Sequence, residues 1–303
     1  MSPDQRPLTA ERVRALISAR ARATSRQVGV STQELVALAY RDRFLSRVFT
    51  DTEWVLKGGT GMLARVPTAR ATVDIDLARN GYTIDQSIAR LRELASLDLG
   101  DFFQFEYRNH ESIGAGENQP YVDGVRVVFD VYIGANSAGV IKIDLVAGVG
   151  ITTPPVTAAP AYRLDVPGLP TTDYRLYSLT DQIADKVCAT ADTYWDGASS
   201  RAKDGVDLVI IARTQHGITA TELTRAIHHE RRLRRLDEFE TLELPATWEG
   251  PFARLARDIP ACADHLTLHD AQRLITAFVD PALDGSAAGA WDPHTTGWVT
   301  EPA

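Results

Sequence analysis

The sequence predicts an α/β fold of the α+β type, with a mixed, largely antiparallel sheet flanked by helices in an N-terminal lobe and a mainly helical C-terminal lobe. Two observations carry this expectation. Residues 102–107, 124–133 and 139–146 are rich in β-branched and aromatic side chains and are separated by turn residues, the pattern of one antiparallel meander. On both sides of that region, apolar residues recur at helical spacing behind Ser/Thr capping sequences. A Pro- and Thr-rich stretch, residues 152–170, interrupts the periodicity and sets a soft boundary, giving lobes at 1–155 and 156–303.

Taken in order, residues 8–27 read as a helix with Val13, Leu16 and Ile17 on one face and arginines on the other. Ser31-Thr32-Gln33-Glu34 fits a capping box for a second helix through Leu35, Leu38, Phe44, Leu45 and Val48. A strand over 73–78 carries two acids, Asn80-Gly81 turns the chain, and 83–97 return to helical spacing with Ile84, Ile88, Leu91 and Leu94. In the last meander strand, Lys142 and Asp144 share one face while Ile141, Ile143 and Leu145 share the other. The 152–170 stretch is either a linker or a loop with its own strand at 162–166. Ser178-Leu179-Thr180-Asp181 then opens a helix with the stripe Ile183, Val187 and Tyr194, and the chain breaks at 196–200. A helix over 204–215 buries Val206, Leu208, Val209 and Ile210, and two more follow near 220–240 and 266–280. The remainder, Gly- and Ala-containing with Trp291 and Trp298, reads as a mobile tail.

At 303 residues, 44% apolar and 24% charged, the chain has the composition of an ordinary globular protein with room for a substantial core. No apolar run approaches the roughly twenty residues needed to span a bilayer, and the start of the chain, with Pro3, Asp4 and Arg6, lacks the stretch of a signal peptide. A cytoplasmic protein without a membrane partner is expected. Cys188 and Cys262 are isolated and read as buried thiols. The net charge of −8 argues against a general nucleic-acid binder, yet arginines cluster. Arg12, Arg14, Arg20, Arg22 and Arg26 crowd the first helix; Arg225, Arg231, Arg232, Arg234 and Arg235, with His228 and His229, crowd a later one. Each run is either a solvated face or a patch that contacts RNA.

The chemistry concentrates in Lys57-Gly58-Gly59-Thr60 and Asp74-Ile75-Asp76. Without a Cβ, Gly58 and Gly59 let backbone N–H groups approach a polyphosphate, and the Thr60 hydroxyl adds a donor at the start of a helix. On an extended strand, Asp74 and Asp76 leave the same face while Ile75 enters the core. Two adjacent carboxylates repel unless a cation lies between them, and Mg²⁺, which takes oxygen ligands and completes its shell with substrate phosphates, suits the pair. A lone Gly-Gly is a turn, and a lone Asp-x-Asp is a solvated strand face. Their order and spacing join a phosphate-approaching turn to a metal site, the two parts that nucleotidyl transfer requires.

Leu56-Lys57-Gly58-Gly59-Thr60, then Met62-Leu63, Arg65, Arg70, Thr72 and Asp74-Ile75-Asp76-Leu77, resembles the signature of the polymerase-β-like nucleotidyltransferase superfamily. Within it the chain is similar to the AbiEii/MenT toxins of bacterial toxin–antitoxin and phage-defence systems. Ile183-Ala184-Asp185-Lys186 and Asp204-Gly205-Val206-Asp207-Leu208 carry the second half of that likeness. The resemblance implies Asp74, Asp76, Lys186 and Asp207 as catalytic residues, with Lys57, Gly58, Gly59, Thr60, Arg65 and Lys186 on the nucleotide. Asp74, Asp76 and Asp144 would hold Mg²⁺ or Mn²⁺, and an NTP would be the substrate. Asp144 is otherwise an exposed strand acid paired with Lys142. For Asp207 three roles stay open: orienting Lys186, binding sugar or base, or an i,i+4 pair with Lys203. Arg65 and Arg70 either reach phosphates or cover the surface.

The resemblance further implies transfer of NMP to the 3′-CCA end of tRNA, which blocks aminoacylation and translation, and a cognate antitoxin as partner. Thr72 stands where a serine is common and where a partner kinase acts in some of these systems, which marks it for regulatory phosphorylation. Transfer to a protein or a small molecule is the alternative within the same chemistry. A nucleotide-binding regulatory module without turnover is the alternative outside it.

Overall fold

The structure, a computed structural model, describes residues 8–113, 124–192 and 201–300. Helices α1 (Ala10–Val28) and α2 (Thr32–Val48) pack on each other at the start of the chain. Their caps are local: the Thr9 and Ser31 hydroxyls accept from the N–H groups of Arg12 and Glu34, each at 3.2 Å. Then come β1 (Trp54–Leu56), α3 (Gly58–Arg65), β2 (Ile75–Arg79) and α4 (Ile84–Ala95). The expected meander follows as β3 (Phe103–Ser112), β4 (Gly124–Ile133) and β5 (Asn136–Ala147), all antiparallel.

The main sheet has seven strands in the order β3-β4-β5-β2-β1-β7-β6, with β6 at Val156–Ala158 and β7 at Tyr174–Leu176. Pairing is parallel at β2–β5 and β1–β7 and antiparallel elsewhere, so the sheet is mixed and largely antiparallel as expected. Residues 162–166 are not a strand. Tyr162 and Val166 are instead buried against the core, and the strands of this region lie on either side of them. The sheet thus draws strands from both sides of residue 155, and the mainly helical part begins only after Leu176.

That part comprises α5 (Leu179–Ala191), α6 (Ala202–Thr214), α7 (Ala220–Arg234), α8 (Glu249–Ala256) and α9 (Leu268–Leu283). α5 packs on α7, and α6 lies against α5, α8 and α9 with Val206 through Ala212 buried. Tyr194 and the break at 196–200 lie outside the described residues. The Trp-containing end is not a mobile tail over its described length. β8 (Ala290–Asp292) and β9 (Gly297–Val299) form a hairpin pairing Trp291 with Trp298. The Trp291 ring is buried 4.6 Å from Phe278, and its N–H donates to the Ala212 carbonyl at 2.8 Å. Burial of that large ring, with its one polar atom satisfied, outweighs the freedom that the surrounding Gly and Ala suggest. Among the described residues, no helix is long and apolar enough to cross a membrane.

Candidate active site

Strand β1 ends at Leu56, and α3 begins at Gly58 with Lys57 as its extended N-cap residue. The turn between them lies against the acids. Gly58 has φ +55°, and a Cβ there would run into the Asp76 carboxyl group, so both backbone and contact call for glycine. A Cβ on Gly59 would stand 3.0 Å from Oγ1 of Thr72. The Lys57 N–H donates to the Asp76 carbonyl at 2.8 Å, and the Thr60 hydroxyl donates to the Asp74 carbonyl at the same distance. Thr60 is fully buried, which commits it to fixing the acid segment. Asp74 precedes β2 and Asp76 lies within it, while Ile75 and Leu77 fill the core.

Register aligns charged residues in a row across four strands. Glu111 of β3 lies opposite Arg126 of β4, Arg126 opposite Asp144 of β5, and Asp144 beside Asp76 of β2. Arg126 grips Asp144 with both arms, Nε to Oδ1 at 2.8 Å and Nη2 to Oδ2 at 2.9 Å, and reaches Oδ2 of Asp74 at 3.1 Å. The pair Asp144–Asp76 is the one like-charge step in the row, and like charges on neighbouring strands repel. Burial and the Asp144 charge accordingly push the Asp76 carboxyl above the usual range, against the pull of Lys203, Lys186 and Lys57. Hydrogen bonding to Asp144 raises the Arg126 pKa further, so this guanidinium is firmly cationic.

A cleft of about 270 Å³ runs from these acids to the helical half. Lys57, Gly58, Gly59, Thr72, Asp74, Asp76 and Asp144 line it from the sheet side, and Asp185, Lys186, Arg201, Lys203, Asp204 and Arg234 from the helices. Lys186 Nζ donates to Oδ1 of Asp204 at 3.1 Å and to Oδ2 of Asp207 at 2.5 Å. Burial would lower its pKa, but Asp207 and Asp204 override that and raise it. Asp207 is itself fully enclosed and is chelated by Arg70, Nε to Oδ1 at 2.8 Å and Nη2 to Oδ2 at 3.0 Å. Of the roles open for Asp207, these contacts are the ones that orienting Lys186 would require. Arg70, which sequence left between phosphate and surface, ties the acid-bearing loop to α6.

Some expected residues face elsewhere. The Arg65 side chain is half-buried and its guanidinium donates to the Tyr177 carbonyl at 2.6 Å, away from the cleft lining. Desolvation there lowers its pKa to about 10. Arg234 of the arginine-rich α7, by contrast, turns inward to the cleft, where it is buried and bound to Glu230 at 2.7 Å and to Asp185 at 2.5 Å. Burial would raise the Asp185 pKa, but Lys57 and Arg234 hold it well below the usual carboxylate range. Sequence reading missed Arg126 altogether, because only its register opposite Asp144 distinguishes it from other strand arginines.

Whether these residues suit a divalent ion can be tested on the acids themselves. Among the described residues, no three His, Cys, Asp or Glu side chains stand close enough together to enclose one. The donor set is nevertheless all carboxylate, and the Asp76–Asp144 step sets two like charges side by side on neighbouring strands. Mg²⁺ usually takes one or two carboxylates and completes its shell with water and substrate phosphates, so an incomplete protein cage fits it.

Among curated proteins nothing matches. MenT4, a nucleotidyltransferase toxin of Mycobacterium tuberculosis H37Rv, is similar in structure at TM-score 0.49 and 17% identity, over 92% of this chain and 99% of that one. JHP933 from Helicobacter pylori is similar at TM-score 0.44 and 14% identity, over 85% of this chain and 96% of that one. The family model described as nucleotidyl transferase AbiEii toxin, type IV toxin–antitoxin system, matches residues 42–284, which take in the glycine turn, the acid row and the Lys186–Asp207 network. By that match, the chain belongs to the AbiEii family of nucleotidyltransferase toxins.

Proposed function

We propose that the chain transfers a nucleotide from an NTP to the 3′-CCA end of tRNA, blocking aminoacylation and translation, and that a cognate antitoxin restrains it. The observation that carries the reading is the Asp76–Asp144 step set directly against the Gly58 turn, with Lys186 on the facing helix. Asp74 and Asp76, with Asp144 beside them, would hold Mg²⁺ or Mn²⁺, which when bound supplies charge neutralisation at the triphosphate and the attacking hydroxyl. Gly58 and Gly59 let the chain's backbone come close to the phosphates at the start of α3. Lys57 and Lys186 offset charge growing toward the departing pyrophosphate, and Lys186 is held ready by Asp204 and Asp207 so that little reorganisation is needed. Thr60 acts through the backbone of Asp74, and Arg65 supports the end of β7.

Thr72 lines the cleft next to Gly59, and a phosphate on it would add negative charge beside Asp74 and oppose triphosphate binding. Thr72→Glu is expected to lower transfer at least tenfold, by the same repulsion, and undiminished transfer would remove that role. The exposed arginines of α1 and of α7 with its C-cap, Arg20, Arg22 and Arg26 with Arg225, Arg232 and Arg235, are the proposed tRNA-facing surface. Incubating the purified chain with total tRNA, Mg²⁺ and each labelled NTP in turn tests the whole reading. Label on intact but not on 3′-trimmed tRNA supports it. Label on protein or on small molecules instead would favour the other acceptors, and none at all the module without turnover.

A further inference from the structure

We propose that Arg126 competes with the divalent cation for Asp74 and Asp144, and so makes ion binding depend on the triphosphate. The inference rests on the nucleotidyltransferase reading of the same acids. Arg126 is held from three directions: Glu111 lies opposite it on β3, Asp144 opposite it on β5, and Asp74 within reach of Nη2. Its bonds to Asp144 are bidentate and charge-assisted, the strongest class such a pair makes. Three of the four oxygens on Asp74 and Asp144 accept from this one guanidinium. A dication sharing those carboxylates with Asp76 meets a fixed positive charge on the far side of the same oxygens, and both its attraction to the acids and the lone pairs it needs are reduced. Asp76 is not among the acceptors of Arg126, so its oxygens stay free of this guanidinium.

The triphosphate changes this balance by bringing several negative oxygens of its own to the Gly58 side of the row. An ion arriving with the nucleotide then needs less from Asp74 and Asp144. Arg126 is in this sense a positioning residue: it keeps the acids aligned across β4, β5 and the segment before β2, and biases the site toward the ion–nucleotide pair over the ion alone.

Mn²⁺ binding to the full chain, followed by electron paramagnetic resonance with and without a non-hydrolysable NTP analogue, tests this directly. Without the analogue, Arg126→Gln is expected to bind Mn²⁺ roughly tenfold tighter than the wild type. Arg126→Lys, which keeps the charge but loses the fork, should fall between them. With the analogue the difference should shrink. Equal or weaker Mn²⁺ binding by a folded Arg126→Gln, and by Arg126→Lys where the glutamine variant does not fold, overturns the inference while leaving the site standing. The Asp76→Asn variant separates the two levels: if Mn²⁺ binding with the analogue is indifferent to that change, the functional reading falls and this inference with it.

Discussion

The two sides of the cleft handle charge in opposite ways. On the helical side, Lys186, Asp204, Asp207 and Arg70 are nearly or fully enclosed and neutralise one another through short, directed bonds. On the sheet side, Asp74 and Asp144 keep 32% and 20% of their side chains exposed, and Asp76, which has no ion pair among the described residues, lies next to Asp144. Buried pairs are costly to break and cannot rearrange cheaply, so the helical network serves as a fixed support for one lysine. The partly solvated row with its one like-charge step is where the proposed cation would enter. Rigidity and receptivity are thus divided between helices and sheet.

Four perturbations break or sharpen that contrast. Asp76→Asn removes a receptive acid and should lower nucleotidyl transfer by at least about 10³-fold while leaving the melting temperature unchanged or raised, since repulsion from Asp144 is relieved. A clear loss of stability would place Asp76 among the structural charges instead. Asp207→Ala strips the partner from both Lys186 and Arg70 in an enclosed setting, and urea unfolding should show a loss of about 3–5 kcal/mol. Stability within error of wild type would mean that the helical network is not the support described.

A smaller effect is expected of Gly58→Ala, which forces a Cβ into left-handed backbone and toward the Asp76 carboxyl. The backbone part alone costs about 1–2 kcal/mol, and transfer should fall because Asp76 is displaced. Last comes pH. Asp76 has a folded-state pKa raised above its unfolded value, so the folded chain binds more protons between the two, and stability falls as pH rises from about 3.8 through the raised pKa. Melting curves across that window should show the wild type losing more than Asp76→Asn, and added Mg²⁺ narrowing the gap.

Much of this arrangement was legible in the chain because it is local. Capping sequences at Ser31 and Ser178, the stripe of α4 and the alternation of β4 and β5 are each set by residues close together in the chain. Gly58, Asp76 and Lys186 lie in short motifs whose chemistry is visible without a fold. What sequence could not supply depends on partners far along the chain. β1 and β7 are three residues each, too short to show a period, and exist because they pair with one another, β1 also with β2 and β7 also with β6. Arg126 acquires meaning only from the register of three strands. Thr60 and Arg65 were placed on the nucleotide by their position in a motif, but their side chains turn to the Asp74 and Tyr177 carbonyls, a choice made by the packing of β2 and β7. The Trp291 hairpin was lost for the converse reason: its Gly- and Ala-rich surroundings signal freedom, and only the contact with α6 and α9 removes it.

The most direct test of the division between a receptive sheet and a fixed helical support is to map where a divalent ion sits. Fe²⁺ can be substituted for Mg²⁺ in the presence of a non-hydrolysable NTP analogue, and ascorbate with peroxide then cleaves backbone beside the bound ion. The account predicts cuts near Gly58, Asp74–Asp76 and Asp144, all lost in Asp76→Asn. Cleavage centred on Asp204 and Asp207, or a pattern indifferent to Asp76, would contradict it.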